Sequence, residues 1–277
     1  MESGFWAPHS SSVDFCEPDY LHSIYIAEPY NAASSLYFCF IGFAGIFYAN
    51  PTSELMFVWP YAILITIGFG SAGLHTSLHW FYQSLDEVPM LWLNMSTLYI
   101  LTVMQYEQKN GSEFVRKISA QFLISSFLMT IFYYVNRSFY AIFIAVFSTS
   151  TIILIFWSGH LALVQHKGDP LMRKLYFAGI TSFVLVGTLP WIIDMNLCSM
   201  LMPYYMYLLK PFQGLTLHVI WHVAAGYGGH YLILVLVYAR ARSVKKKVRL
   251  HYFWHLVPVL SEVKDVQKSG SRTKKQN

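Results

Sequence analysis

Residues 213–238 read QGLTLHVIWHVAAGYGGHYLILVLVY. These 26 residues contain no Asp, Glu, Lys or Arg. About 20 apolar residues in a helix cross a ~30 Å hydrocarbon core. The stretch also carries His218, His222 and His230, and ionisable groups inside a membrane helix are costly and usually functional.

Six further apolar runs precede it, over residues 33–49, 57–79, 85–104, 118–135, 139–164 and 173–194. Only 12% of the 277 residues are charged, about half the share usual in a soluble domain. The expected fold is therefore an all-α seven-helix membrane bundle. It has a leading segment over residues 1–32, a bundle over 33–238 and a basic tail over 239–277. The first 30 residues are polar, acidic and aromatic, unlike a cleaved signal peptide.

Lys and Arg set the expected orientation. Seventeen fall in the loops after runs one, three and five and in the tail; only Arg137 and Lys210 fall on the other side. The basic side is read as cytosolic, which makes the N-terminus lumenal. The net charge of +5 reflects this topology, and basic residues that flank membrane helices argue against nucleic acid as a partner. The run SVKKKVRL (243–250) could touch anionic headgroups. The ending KKQN resembles a dilysine retrieval signal, so an endoplasmic reticulum membrane is expected, with the Golgi as the alternative.

The polar groups inside the runs carry the chemistry. Ser71, His75 and His79 are spaced by four and share one helix face; His218 and His222 do the same. Asp86 and Glu87 open the third run. Neutral imidazoles suit zinc, and catalytic zinc commonly takes three protein ligands. His218 and His222 supply two, and His75 or His79 the third. Taken singly, each of these histidines could equally be a hydrogen-bonded core residue. Before the first run, Asp14, Glu17, Asp19 and Glu28 place four carboxylates within fifteen residues. Such a segment suits calcium, or is a plain acidic surface. Cys16 and Cys198 both fall on the lumenal side, where disulfides persist; Cys39 lies inside the first run.

The segments VDFCEPDY (13–20), YIAEPYN (25–31), GSAGLH (70–75), LDEVPM (85–90), IDMNLC (193–198) and HVIWHVAAG (218–226) together resemble the alkaline ceramidase family. That family belongs to a wider superfamily of seven-helix membrane hydrolases that includes the adiponectin receptors. The resemblance covers about residues 5–255. It implies zinc on His75, His218 and His222, with His79 beside the site. It implies calcium on Asp14, the Phe15 carbonyl, Glu17, Asp19 and Glu28. Phe15 stands where relatives often have Trp, and Asp19 where some have Asn. It also implies a Cys16–Cys198 disulfide.

The implied reaction is hydrolysis of the ceramide amide to sphingosine and a fatty acid. Zinc would polarise the carbonyl and activate water, Asp86 would be the general base, and Ser71 would donate to the oxyanion rather than act as nucleophile. The rival readings are a seven-helix receptor with a structural zinc, a hydrolase of another lipid amide, and a transporter or retinal pump. A retinal pump needs a lysine in the last run, and Lys210 precedes it.

Overall fold

A computed structural model of the chain describes residues 4–263. The stretch with the three histidines, residues 213–238, forms the centre of the molecule. From His218 on it lies on α7 (His218–Ser243), where Leu234, Val235, Leu236 and Val237 are fully buried. A helix apolar on every side belongs inside a bundle. Around it stand α1 (Pro29–Tyr48), α2 (Val58–Ser77), α3 (Trp80–Val135) and α4 (Tyr140–His160). The last of these continues as a π-turn over Leu161–Gln165. Then come α5 (Pro170–Ile180), a π-helical stretch Thr181–Thr188, and α6 (Leu189–Tyr207). The described residues contain six helices long and apolar enough to cross a membrane, the sixth being α7 and the fifth Pro170–Tyr207 taken whole. The architecture is a multi-pass helical membrane bundle.

The 56-residue α3 is not a straight rod. Glu87 accepts a hydrogen bond from the Tyr133 hydroxyl at 2.7 Å, whereas 46 residues of straight helix would separate them by about 69 Å. Trp92 bonds Thr130 at 2.9 Å and Tyr99 bonds Ser119 at 3.0 Å. These pairs are centred on residues 109–111. There Gly111 has φ 74° and ψ −172°, a conformation open essentially to glycine alone. The chain reverses at Gly111 and α3 is two antiparallel arms.

Several boundaries differ from the sequence reading. The third helix begins at Trp80, so Asp86 lies almost two turns inside it and does not open it. The reversal between α2 and α3 is Leu78–His79, with Leu78 left-handed at φ 51°. Cys198 lies within α6, beside a break at Leu197, and does not follow the helix. The region after residue 238 is not simply an unstructured basic tail: α7 runs to Ser243, then β1 (Val248–Phe253) and β2 (Val257–Glu262) pair as an antiparallel hairpin. The KKQN ending lies outside the described residues.

One end of the bundle is tied by charge. Arg240 near the end of α7 bonds Glu54, in the loop after α1, at 2.6 Å and Glu107 of α3 at 2.9 Å. At the other end the N-terminal segment folds over α2: the Ser10 and Ser11 amides donate to the Leu78 carbonyl, each at 3.0 Å.

Candidate metal centre

Two close approaches assemble the site. α2 meets α3 at Gly70, where a Cβ would fall 2.2 Å from the Leu85 carbonyl oxygen. Only glycine admits that contact, and it sets Ser71 against Asp86. α7 brings in its own pair of histidines. His75, His218 and His222 are all buried and offer ligand atoms within 4.8 Å of one another. Their ring centroids are 5.2, 5.1 and 4.5 Å apart. His79 goes elsewhere: past the end of α2, its Nε2 hydrogen-bonds the Trp6 carbonyl at 2.8 Å. The third imidazole is thus His75.

The donor set fits a metal ion. His75 Nδ1 hydrogen-bonds the buried Glu28 carboxylate, leaving its Nε2 without a partner. His222 Nδ1 is bonded to the Ser34 hydroxyl at 2.7 Å, and His218 Nδ1 has no partner. Buried nitrogens left unsatisfied are uncommon, and three converging neutral imidazoles are a zinc-like ligand set. Glu28 and Ser34 fix two of the rings from outside, as partners of metal-bound histidines do. The sequence marks Glu28 only as one carboxylate of the acidic segment and does not mark Ser34. Ser34 and Ser35 sit in YNAASSLY with no signal beyond being hydroxyls on an apolar run.

Other polar residues hold the frame. Ser35 donates to the Ser71 hydroxyl at 3.0 Å. Asp194 accepts from Tyr205 at 2.6 Å and from the Leu217 amide at 3.2 Å, which fixes the start of α7 one residue before His218. Glu87 is held by Gln83 at 2.8 Å and by Tyr133, so it joins the two arms of α3.

A cavity of about 350 Å³ opens from this cluster. Ser71, Asp86, His218 and His222 line one end, and Leu154 and Ser158 the other. Along α4 the lining runs from Tyr140 to Ser158, about 27 Å. The wall between is mostly apolar and aromatic, suited to a hydrocarbon chain with a polar group at the cluster.

The acidic segment divides into two. Asp14, Asp19 and Glu28 bring carboxylate oxygens within 4.8 Å of one another. Glu17 stands apart from that trio: its two oxygens accept from the Tyr30 and Asn31 amides at 2.8 and 2.7 Å, at the start of α1. Burial and the neighbouring charges of Glu28 and Asp19 push Glu17 up to about 8, against the lowering effect of those two amides. Asp19 is raised by burial and by Asp14, and Glu28 is raised well above the usual range, chiefly by burial. The Phe15 ring packs on His75 and His218, with centroids 4.8 and 4.4 Å away. Cys16 and Cys198 meet as a disulfide, Cα atoms 5.5 Å apart, and join the N-terminal segment to α6.

The bundle thus sets three buried imidazoles that could hold a metal ion beside an acid, at one end of a long apolar cavity. The family follows from comparison: the Ceramidase family profile matches residues 7–264, and the chain belongs to that family. It is 24% identical to mouse "Alkaline ceramidase 3" over 93% of this chain and 94% of that protein. It is 28% identical to mouse "Alkaline ceramidase 1", covering 91% and 89%. It is 24% identical to the Arabidopsis thaliana "Alkaline ceramidase", covering 92% and 94%.

Proposed function

We propose that the protein hydrolyses the amide of ceramide, releasing sphingosine and a fatty acid, with zinc on His75, His218 and His222. The observation that carries this is the three-imidazole cluster facing Ser71 and Asp86 at one end of the apolar cavity. Zinc held there supplies Lewis-acid polarisation of the carbonyl and lowers the pKa of water. The chain's own groups do the rest. Asp86, with part of its surface in the cavity, takes the proton of the attacking water and returns it to the departing nitrogen. Ser71 donates to the carbonyl oxygen as negative charge develops there. Glu28 and Ser34 keep the imidazoles oriented, and the cavity holds a lipid chain with its amide at the cluster.

In this reading the two arms of α3 are separate spans, which brings the count to seven. The N-terminus is lumenal and the basic C-terminus cytosolic, in a membrane of the endoplasmic reticulum or Golgi. Calcium would sit on Asp14, Asp19 and Glu28 with the Phe15 carbonyl; Glu17, whose oxygens each accept one amide, would join it through the lone pairs that remain. The crowding of raised acids supports a cation there.

The test is fatty-acid release from a panel of ceramides by purified protein at pH 7–9, with zinc measured on each sample. His218→Ala is expected to lose zinc and activity together. Asp86→Ala should keep zinc and lose activity by at least the ~10²-fold usual for a general base. A folded protein that binds zinc yet cleaves no ceramide overturns the reading.

A further inference from the structure

The hairpin after α7 turns back along the bundle. Its open end lies beside the loop that follows α1: Lys246 bonds Glu262 at 3.0 Å and the Pro51 carbonyl at 2.9 Å. From Tyr48, the last residue of α1, its tip reaches back along that helix to Phe40. Phe253 stacks on Tyr48 with centroids 4.3 Å apart, and Trp254 stacks on Phe40 at 6.0 Å. Tyr227 donates to the Leu256 carbonyl at 3.0 Å, and His230 Nε2 bonds the Pro258 carbonyl at 2.5 Å. Phe40 is eight residues, about 12 Å, before the end of α1. Tyr227 is thirteen residues, about 20 Å, before the paired Arg240 that marks the charged end of α7. The tip therefore stands at a depth that both helices span.

β2 is built for that depth. Strand edges in hydrocarbon leave unsatisfied amides and carbonyls, so irregular or extended chain persists there only where protein covers it. β2 is covered on one edge by β1, and Val257, Val259 and Leu260 are fully buried. Towards α7, Tyr227 and His230 supply donors to the Leu256 and Pro258 carbonyls, and Pro258 has no N–H to satisfy. The side chains are graded in the same sense. Lys246, Arg249 and Glu262 lie at the base. Tyr252, Trp254 and Leu256 lie at the tip, 45, 71 and 55% exposed, on the side of the molecule where Phe43 and Phe47 of α1 are also exposed. His255 is the one ionisable side chain in the turn between the strands.

We propose that this hairpin is a re-entrant membrane element, seated in the crevice between α1 and α7, with Tyr252, Trp254 and Leu256 presented to the acyl chains of the bilayer. Tyr227 and His230 are its anchors. The inference is independent of what the protein hydrolyses.

Single cysteines carrying a spin label test it in phosphatidylcholine vesicles, since Cys39 is buried and Cys16 and Cys198 are paired. The label on Trp254→Cys is compared with Phe43→Cys on α1 and Lys245→Cys beyond α7, reading collisions with oxygen against a water-soluble nickel chelate. An oxygen-to-nickel ratio equal to or above that of Phe43→Cys is the expected result. A ratio below it, whether intermediate or equal to Lys245→Cys, overturns the proposal. Adding Tyr227→Phe with His230→Leu should raise nickel exposure at position 254 while helix content holds. If helix content falls, Tyr227→Phe alone is the comparison, and an unchanged ratio there removes the anchoring role.

Discussion

One ring nitrogen of His222 is committed before any ion arrives, because the Ser34 hydroxyl holds Nδ1 at 2.7 Å. Removing that bond frees the ring to turn. Ser34→Ala is expected to lower zinc affinity by about 10-fold, with helix content unchanged, measured by competition with a chelator. The acidic segment makes a second prediction at this scale. Glu17, with its value pushed up to about 8, binds a proton in the folded state that the unfolded chain has already released at neutral pH. Its contribution is fully present below about 4.5 and is lost as pH rises from there to about 8. Without calcium, melting temperature should fall across that window; with calcium the fall should shrink, because the cation replaces the proton. Equal slopes in the two series would remove calcium from this segment. Spacing made part of the centre readable: HVIWH puts His218 and His222 on one face. It could not choose between His75 and His79. The choice is made by Leu78, whose left-handed backbone ends α2 and sends His79 towards Trp6.

Among the elements, α3 shows where periodic reading loses its boundary. The apolar runs 85–104 and 118–135 are separated by QYEQKNGSEFVRK, which reads as a loop by polarity. Gln, Glu, Lys and Arg are good helix formers, so helix continues through the polar gap and breaks only at Gly111. Gly111→Ala places a side chain in a backbone region that costs about 1–3 kcal/mol, with nothing nearby to clash. It should lower melting temperature and leave metal content unchanged, since the reversal is far from the histidines along both arms. The hairpin was hidden by its charge. Basic residues in SVKKKVRL dominate the pattern of the tail, while the extended segment VPVLSE is too short to stand out by its own periodicity. Its burial depends on Tyr227 and His230, partners some thirty residues earlier.

At the scale of the molecule, burial is lopsided. α7 and α1 are buried along much of their length, whereas in the outer arm of α3, residues 112–135, Tyr133 alone is buried. The histidines stand on the well-buried side. The outer arm of α3 is held largely by hydroxyl bonds such as Tyr133 to Glu87 and Tyr99 to Ser119. Hydrogen exchange should therefore protect amides of α1, α2 and α7 longest, and exchange residues 112–135 first among the helices. Equal protection of both arms of α3 would contradict this division.

The cavity lies between these two regimes. Its α4 wall carries Phe143, Phe147 and Leu154 on the inside, while Ile153 and Phe156 of the same helix are exposed on the outside. On that side, one helix thickness separates a chain in the cavity from the surroundings of the bundle. A two-tailed lipid could then reach the histidines by parting a curtain, while the helices that hold the rings keep their places.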